Sequence, residues 1–216
     1  MIDPILFQNL LLDWFQAHGR KHLPWQSPRT PYRVWISEIM LQQTQVGTVI
    51  PYFEKFMQRF PNLLSFAQAE EDTVLHLWAG LGYYARARHM HRTAQKIVKE
   101  FKGEIPQDIK TLQTLPGIGR STAGAIRSLG FNQPAAILDG NVKRLLCRLH
   151  KIDGWPGESK VAQKLWQLAE HYIPSQSPSD YTQAMMDFGT LVCTKRQPRC
   201  THCPFITHCL AYQSNQ

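Results

Sequence analysis

Proline and glycine punctuation does most to limit what this chain can fold into. Breaks at Leu23-Pro24-Trp25, Phe60-Pro61-Asn62, Gly80-Leu81-Gly82, Ile105-Pro106, Leu115-Pro116-Gly117, Trp155-Pro156-Gly157 and Ile173-Pro174 divide it into stretches of helix length. Within those stretches apolar residues step at helical intervals. Leu6, Leu10 and Trp14 recur every four residues, and Met90, Ala94, Ile97 and Phe101 follow i, i+4, i+7, i+11. Convincing period-2 alternation is missing, so the expected class is all-α with roughly ten helices of ordinary length. A division into two helical lobes is expected, but composition does not mark its boundary, and neither a fixed-period repeat nor a low-complexity linker is found.

The chain has 216 residues, 43% of them hydrophobic, enough for a sizeable core. It contains no run of about 18 apolar residues, so no membrane span is expected. The first residues lack the basic and long apolar regions of a secretory signal, which points to a soluble, cytoplasmic protein. A formal charge of +8 fits a polyanionic partner such as nucleic acid. The basic residues are spread through the chain, as in Arg86, Arg88, His89, His91, Arg92 and Lys143, Arg144, Arg148, rather than gathered in a tail.

Cys193, Cys200, Cys203 and Cys209 stand at C-x6-C-x2-C-x5-C. Thiolates paired by tight loops can hold a tetrahedral zinc ion or an iron-sulfur cubane. Two disulfides are the alternative, but they belong to small secreted domains, so metal is favoured. Cys147 is expected to be a small buried core residue. A further segment, Leu115-Pro116-Gly117-Ile118-Gly119-Arg120-Ser121-Thr122-Ala123, places two glycines before small residues that begin a helix. Such a turn either joins two helices or leaves backbone N–H groups open to a phosphate oxygen; the glycines alone do not decide.

Taken with that segment and the cysteine tail, Leu138-Asp139-Gly140-Asn141-Val142 resembles the helix–hairpin–helix DNA glycosylases of the endonuclease III superfamily. Ser37-Glu38-Ile39-Met40-Leu41-Gln42-Gln43-Thr44-Gln45-Val46 and Gly80-Leu81-Gly82-Tyr83-Tyr84-Ala85-Arg86-Ala87-Arg88 resemble its adenine-specific, MutY-type branch. The resemblance extends over nearly the whole chain. It implies excision of adenine mispaired with 8-oxoguanine or guanine in duplex DNA, by a monomer in the bacterial cytoplasm that joins the nucleoid while on DNA.

Hydrolysis of a purine N-glycosidic bond calls for an acid on the base side and an anion on the sugar side. Glu38 and Asp139 suit these roles. On a helix, Val34, Trp35 and Leu41 would desolvate Glu38 and keep it a usable acid. Yet Glu38, Gln42 and Gln45 also form an i, i+4, i+7 polar stripe of the kind that faces water. Asp139 reads first as a helix N-cap, kept ionised by backbone N–H groups and the helix dipole, which is compatible with stabilising a sugar cation. The resemblance implies that Asn141 helps hold that intermediate.

Bifunctional relatives carry a lysine where this chain has Ser121, and a serine cannot form an imine, so a monofunctional enzyme is expected, with Lys143 a source of weak adventitious cleavage. The target base must leave the stack. By resemblance Gln43 and Tyr83 intrude at the lesion pair, and Leu23, Trp25 and Gln183 line the adenine pocket; core packing is the alternative for Trp25 and Tyr83, and a surface amide for Gln183. Gly117, Gly119 and Ser121 belong to the DNA-binding hairpin. The cysteine loop, 193–209, is implied to hold a [4Fe-4S] cluster that folds it, with Lys195, Arg196 and Arg199 beside the DNA backbone. Relatives of this type usually continue into a Nudix-like domain; here residues 1–216 are read as the catalytic domain alone, with that second domain absent and weaker discrimination of 8-oxoguanine from guanine. Two other readings are an oxidised-pyrimidine glycosylase/lyase and a non-catalytic DNA-binding iron-sulfur module.

Overall fold

The computed structural model describes residues 2–214. Among them run twelve α-helices: α1 (Pro4–His18), α2 (Pro31–Leu41), α3 (Val46–Arg59), α4 (Leu63–Ala67), α5 (Glu71–Trp78), α6 (Ala85–Glu100), α7 (Ile109–Gln113), α8 (Arg120–Ala125), α9 (Gly140–His150), α10 (Ser159–His171), α11 (Pro178–Leu191) and α12 (Leu210–Gln213). No described residue lies in a strand. Every proline or glycine break named above falls between two of these helices. The number exceeds roughly ten because α4, α7, α8 and α12 have six residues or fewer, too short for an apolar stripe to announce them.

Local chemistry accounts for the starts. Asp3 and Thr30 each precede a proline, and their side chains accept from the N–H of Leu6 and of Arg33, at 3.0 and 3.3 Å. Proline at the first helical position gives up only an N–H that would have lacked an intrahelical partner. Asn62 and Ser65 cap α4 reciprocally, and Asp108 accepts from Thr111 N at 2.8 Å before α7.

The chain forms two compact units. The first takes residues up to Arg20 and from Asn132 on; the second is Lys21–Phe131. Because the first unit is closed by both ends of the chain, no single linker exists for composition to reveal. Its core gathers Phe7, Trp14, Phe188 and Phe205, with Phe7 stacked on Phe205 at 4.8 Å and Trp14 edge-on to Phe188 at 4.9 Å. The buried face of α1 is Phe7, Leu11, Trp14 and Phe15. Leu6, expected on that face, is 40% exposed, because the four-residue step drifts off a 3.6-residue period and bulkier Phe7 takes the inward position.

The second unit is built on an aromatic core of Trp35, Phe53, Phe56, Phe60, Phe66 and Trp78. Phe56 meets Phe60 and Phe66 edge-on, both at 5.0 Å. Each buried phenyl contributes roughly 1.5–3 kcal/mol of transfer free energy. Met90, Ala94 and Ile97 on α6 are buried and Phe101 packs against the same core, as their spacing predicts. α8 runs directly into a π-turn over Ile126–Gly130 that packs on α2. A Cβ on Gly130 would lie 2.8 Å from Pro31 Cα, so only glycine permits that approach. No helix among the described residues is long and apolar enough to cross a membrane.

Candidate active site

In the second unit, Glu38 sits half-buried on α2, one turn after the buried Val34 and Trp35. The polar stripe Glu38–Gln42–Gln45 does not exist as one helical face. α2 ends at Leu41, Gln42 is its C-cap, and Gln45 is already the N-cap of α3. The spacing misled because Gln42-Gln43-Thr44-Gln45 contains neither proline nor glycine to mark the break. Gln43 adopts a left-handed backbone, φ 58°, and is exposed. Tyr83 does the same at φ 50° and is 64% exposed, so it is not a core aromatic. Trp25, by contrast, is 4% exposed and meets Phe53 edge-on at 5.4 Å, with Leu23 half-buried nearby in sequence.

The glycine-rich segment forms the turn between α7 and α8. Gly117 takes φ +78°, and a Cβ there would lie 3.0 Å from His89 Cβ. Gly119 is the N-cap of α8. Thr93 Oγ1 on α6 donates to the Pro116 carbonyl at 2.8 Å, fixing the turn to the unit's core helix. Gly117 and Gly119 are exposed at its tip, with Ser121 half-buried behind them.

In the first unit, Asp139 caps α9 as its sequence predicts. Its Oδ1 accepts from the N–H groups of Asn141 and Val142 at 3.0 and 2.8 Å, and Oδ2 accepts from Asn141 Nδ2 at 3.2 Å. Asn141 Oδ1 in turn accepts from Arg144 Nη2 at 2.9 Å. The same Nη2 donates to the Gly189 carbonyl (2.6 Å), and Nε donates to the Cys193 carbonyl (2.8 Å). The direction of its pKa departs from expectation: burial raises the Asp139 pKa above the ordinary carboxylate value, and the Val142 and Asn141 hydrogen bonds and the Arg144 charge offset only part of this. Part of the residue stays accessible, but its carboxylate is crowded enough for desolvation to outweigh the cap.

Gln183 on α11 is 4% exposed, not a surface amide. Its Nε2 donates to Asp187 Oδ1 at 3.0 Å, one turn along. Asp187 is fully buried and takes Arg20 on both oxygens, through the backbone N (2.7 Å) and Nε (2.9 Å). Sequence reasoning missed both Arg144 and the Arg20–Asp187 pair. An acid four residues after Gln183, within the apolar run Ala184-Met185-Met186-Asp187-Phe188, was the available signal for the second. Arg144 had none beyond its i+3 spacing from Asn141.

None of the four tail cysteines is in a disulfide. All four line one cavity, partly open to solvent, together with Leu145, Val192, Phe205 and Tyr212. Among the described residues, no three His, Cys, Asp or Glu side chains converge as the ligands of a single ion. Burial raises the Cys193 and Cys203 thiols, Cys203 to about 12, with the other thiols adding to the shift. Four thiols around one apolar cavity fit a cationic metal-sulfur group that would hold them as thiolates. The loop is pinned at one end by Phe205, 1% exposed, and at the other by Arg148, which donates to the Thr194 carbonyl at 2.6 Å and Cys193 Sγ at 3.4 Å. Lys195, Arg196 and Arg199 are exposed on it. Cys147, expected in the core, is half-buried, since it stands beside Arg148 on the rim of α9.

Residues 36–171 match the family model described as HhH-GPD superfamily base excision DNA repair protein. The chain belongs to that superfamily. Relatives named adenine DNA glycosylase include one from Buchnera aphidicola subsp. Schizaphis graminum, 49% identical over 208 residues, and one from Homo sapiens, 44% identical over 216 residues. The alignments cover 96% of this chain in each case, but 60% and 39% of those relatives, so the chain spans well under two thirds of their length. Among solved structures it resembles a thermostable thymine-DNA glycosylase, with TM-score 0.88, 26% identity and coverage of 98% and 97% of the two chains. An endonuclease III–DNA complex, at 22% identity and TM-score 0.79 over 100% and 99%, shares the fold.

Proposed function

We propose that this chain is a monofunctional glycosylase that hydrolyses the N-glycosidic bond of adenine opposite 8-oxoguanine or guanine in duplex DNA. The observation that carries the reading is the Asp139 cap. Two amides occupy Oδ1, while Oδ2 is held only by a side-chain amide that Arg144 braces. A carboxylate fixed by its own helix start is suited to a cation developing at the sugar, and that cation in turn favours the ionised form. Adenine as the base rests on the names of the relatives.

In this reading Glu38 protonates adenine, Asp139 stabilises or bonds to the sugar carbon, and Asn141 holds the Asp139 carboxylate in register. Exposed Gln43 and Tyr83 enter the duplex as the base leaves the stack. By the family resemblance Leu23, Trp25 and Gln183 meet the base; Trp25 and Gln183 are each buried within their own unit, and Gln183 carries an amide already bonded to Asp187. The turn at Gly117, Gly119 and Ser121 takes a backbone phosphate. Ser121 offers no amine, so the product is an abasic site. Cys193, Cys200, Cys203 and Cys209 hold a [4Fe-4S] cluster, and Lys195, Arg196 and Arg199 meet phosphates beside it. Hydrolysis transfers no electrons, so the cluster's contribution is to the shape of the loop.

Single-turnover assays on duplexes carrying adenine opposite 8-oxoguanine, adenine opposite guanine, thymine opposite guanine, or thymine glycol test this. Adenine release with strand breakage only after alkali is expected, and Glu38→Gln should abolish release while leaving binding intact. Thymine glycol cleaved without alkali would move the protein to the lyase branch. Binding with no base released from any duplex would mean a non-catalytic module.

A further inference from the structure

Arg86, the second residue of α6, turns its guanidinium away from its own helix. Nη1 donates to the carbonyls of Ile39, Met40 and Gln42 at 2.8, 3.1 and 2.5 Å. Nη2 donates to the carbonyls of Leu81 and Gly82 at 3.1 and 3.3 Å and to Thr44 Oγ1 at 3.4 Å. The same guanidinium lies over the rings of Trp78 and Tyr83, at 5.2 and 5.6 Å. Its acceptors fall in two segments about forty residues apart in sequence: the run from the end of α2 to Thr44, and Leu81–Gly82. Gln43, within the first segment, and Tyr83, directly after the second, are both exposed and in the left-handed region.

This arrangement is locally unfavourable in several ways. A cation in the first turn of α6 opposes that helix's dipole. Burial lowers the Arg86 pKa, and its Nε is buried with no hydrogen-bond partner. Left-handed backbone at glutamine and tyrosine is disfavoured for L-residues. Such costs persist where the surroundings over-determine a geometry that function needs. The compensation is specific, because Arg86 supplies donors to the Ile39, Met40 and Gln42 carbonyls at the end of α2, where helix geometry leaves carbonyls short of intrahelical partners, and ties them to the turn before α6.

We propose that Arg86 is a positioning residue that makes Gln43 and Tyr83 one rigid wedge, so that extrusion of the target nucleotide depends on its guanidinium. The inference rests on the glycosylase reading above. Side chains on yielding loops would be pushed aside by a stacked duplex, whereas two left-handed residues pinned to one planar fork hold their direction. Lysine cannot substitute, since a single ammonium cannot reach acceptors in both segments or stack between two rings.

The test uses Glu38→Gln protein with 2-aminopurine beside adenine opposite 8-oxoguanine. The Arg86 parent should give a fluorescence rise on binding. Arg86→Lys should lose most of it, while its affinity for fully matched duplex stays within about threefold and its thermal unfolding remains cooperative. In the free protein, amides at 42–45 and 81–83 should exchange on the order of tenfold faster in Arg86→Lys. Should that variant fail to fold, Thr44→Val, which removes one acceptor and leaves the guanidinium, should move both readouts the same way by less. A parent that gives no rise on any duplex overturns the excision reading and this inference with it. A parent that gives a rise which Arg86→Lys or Thr44→Val retains, with unchanged exchange, overturns the Arg86 assignment alone.

Discussion

Replacing Asp139 separates its two duties, because asparagine can cap a helix and cannot carry the charge. In Asp139→Asn the side-chain Oδ1 still accepts from Asn141 N and Val142 N, the bonds now at 3.0 and 2.8 Å, and asparagine ranks with aspartate as an N-cap. The bond from Asn141 Nδ2 to Oδ2 is lost, since an amide NH₂ takes that place, at a cost of about 1 kcal/mol. Against this stands the relief of a buried charge. The folded pKa of Asp139 is raised by desolvation, so ionisation costs more in the folded than in the unfolded chain. The penalty is absent below the unfolded pKa, grows as pH rises to the folded pKa, and is constant above it. Asp139→Asn should therefore lose no more than about 1 kcal/mol at pH 7 and gain on the parent as pH rises from about 4. Asp139→Ala loses both cap bonds and should cost about 1–2 kcal/mol, or a fall of several degrees in Tm for a chain of this size. Both variants should be inactive, and the parent's rate should fall on the acid side at a pH above the ordinary carboxylate range. Calorimetry at four pH values with single-turnover kinetics measures all of this. If Asp139→Asn is as unstable as Asp139→Ala, or loses ground to the parent as pH rises, the claim that burial dominates this carboxylate is wrong.

Gly189→Ala would bring a Cβ to 2.5 Å from Asn141 Cβ and 3.1 Å from its Cα; we expect a loss of about 1–3 kcal/mol in urea unfolding and a slower excision step with DNA affinity unchanged. Asp187→Ala leaves Arg20 without its buried partner and Gln183 without its acceptor, and should destabilise by about 3 kcal/mol, the low end for a buried pair because Arg20 is partly exposed. Burial, aided by the positive charges of His171 and Lys164, lowers the His150 pKa to about 4. The unfolded chain therefore takes up this proton first, and stability present above pH ~6.5 is lost as pH falls toward 4. His150→Gln, which can still meet the Tyr172 hydroxyl now 3.1 Å from the ring, should flatten the dependence of Tm on pH across that window; an unchanged slope would assign the acid sensitivity elsewhere.

The breaks were legible because proline and glycine act through the local backbone, which needs no tertiary information. The left-handed Gln43 was not: nothing in Gln42-Gln43-Thr44-Gln45 asks for a turn, and the conformation exists because Arg86, 43 residues later, takes the carbonyls there. For the same reason the stripe through Glu38 pointed the wrong way. The Asp139 cap is a matter of three consecutive residues and was readable, whereas its raised pKa depends on how far distant parts of the unit bury it. A pocket role for Gln183 could not be told from a surface amide because its partner Asp187 is satisfied by Arg20, from the opposite end of the chain. The spacing of the four cysteines made a metal site the favoured reading over disulfides, but did not reveal the cavity they share.

That cavity bears on the reaction through α9. Asp139 is the cap of this helix, Arg144 lies one turn in, and Arg148 one turn further. Arg144 holds Asn141 with the same Nη2 that holds Gly189, and its Nε holds the carbonyl of Cys193, the first cysteine of the loop. Arg148 takes the next two carbonyls, Thr194 and Lys195, at 2.6 and 3.0 Å. The Asp139 cap and the cysteine loop thus share one helix and one guanidinium relay, and whatever orders Cys193 also orders Asn141. On the proposed reading of the cysteine loop, removing its metal from the folded protein should loosen the Cys193–Lys195 carbonyls first, and with them the bond from Arg144 to Asn141. The expected signature is an excision rate that falls at least tenfold while helix content, dominated by helices outside the loop, changes little, since a positioning loss of this kind acts on the bond-breaking step. Arg144→Lys, which cannot span Asn141, Gly189 and Cys193 at once, should reproduce that slow excision with the cysteine site still loaded. If metal-free protein excises at the parent rate, or Arg144→Lys does, the relay is ordinary packing and Asp139 is held by its cap alone.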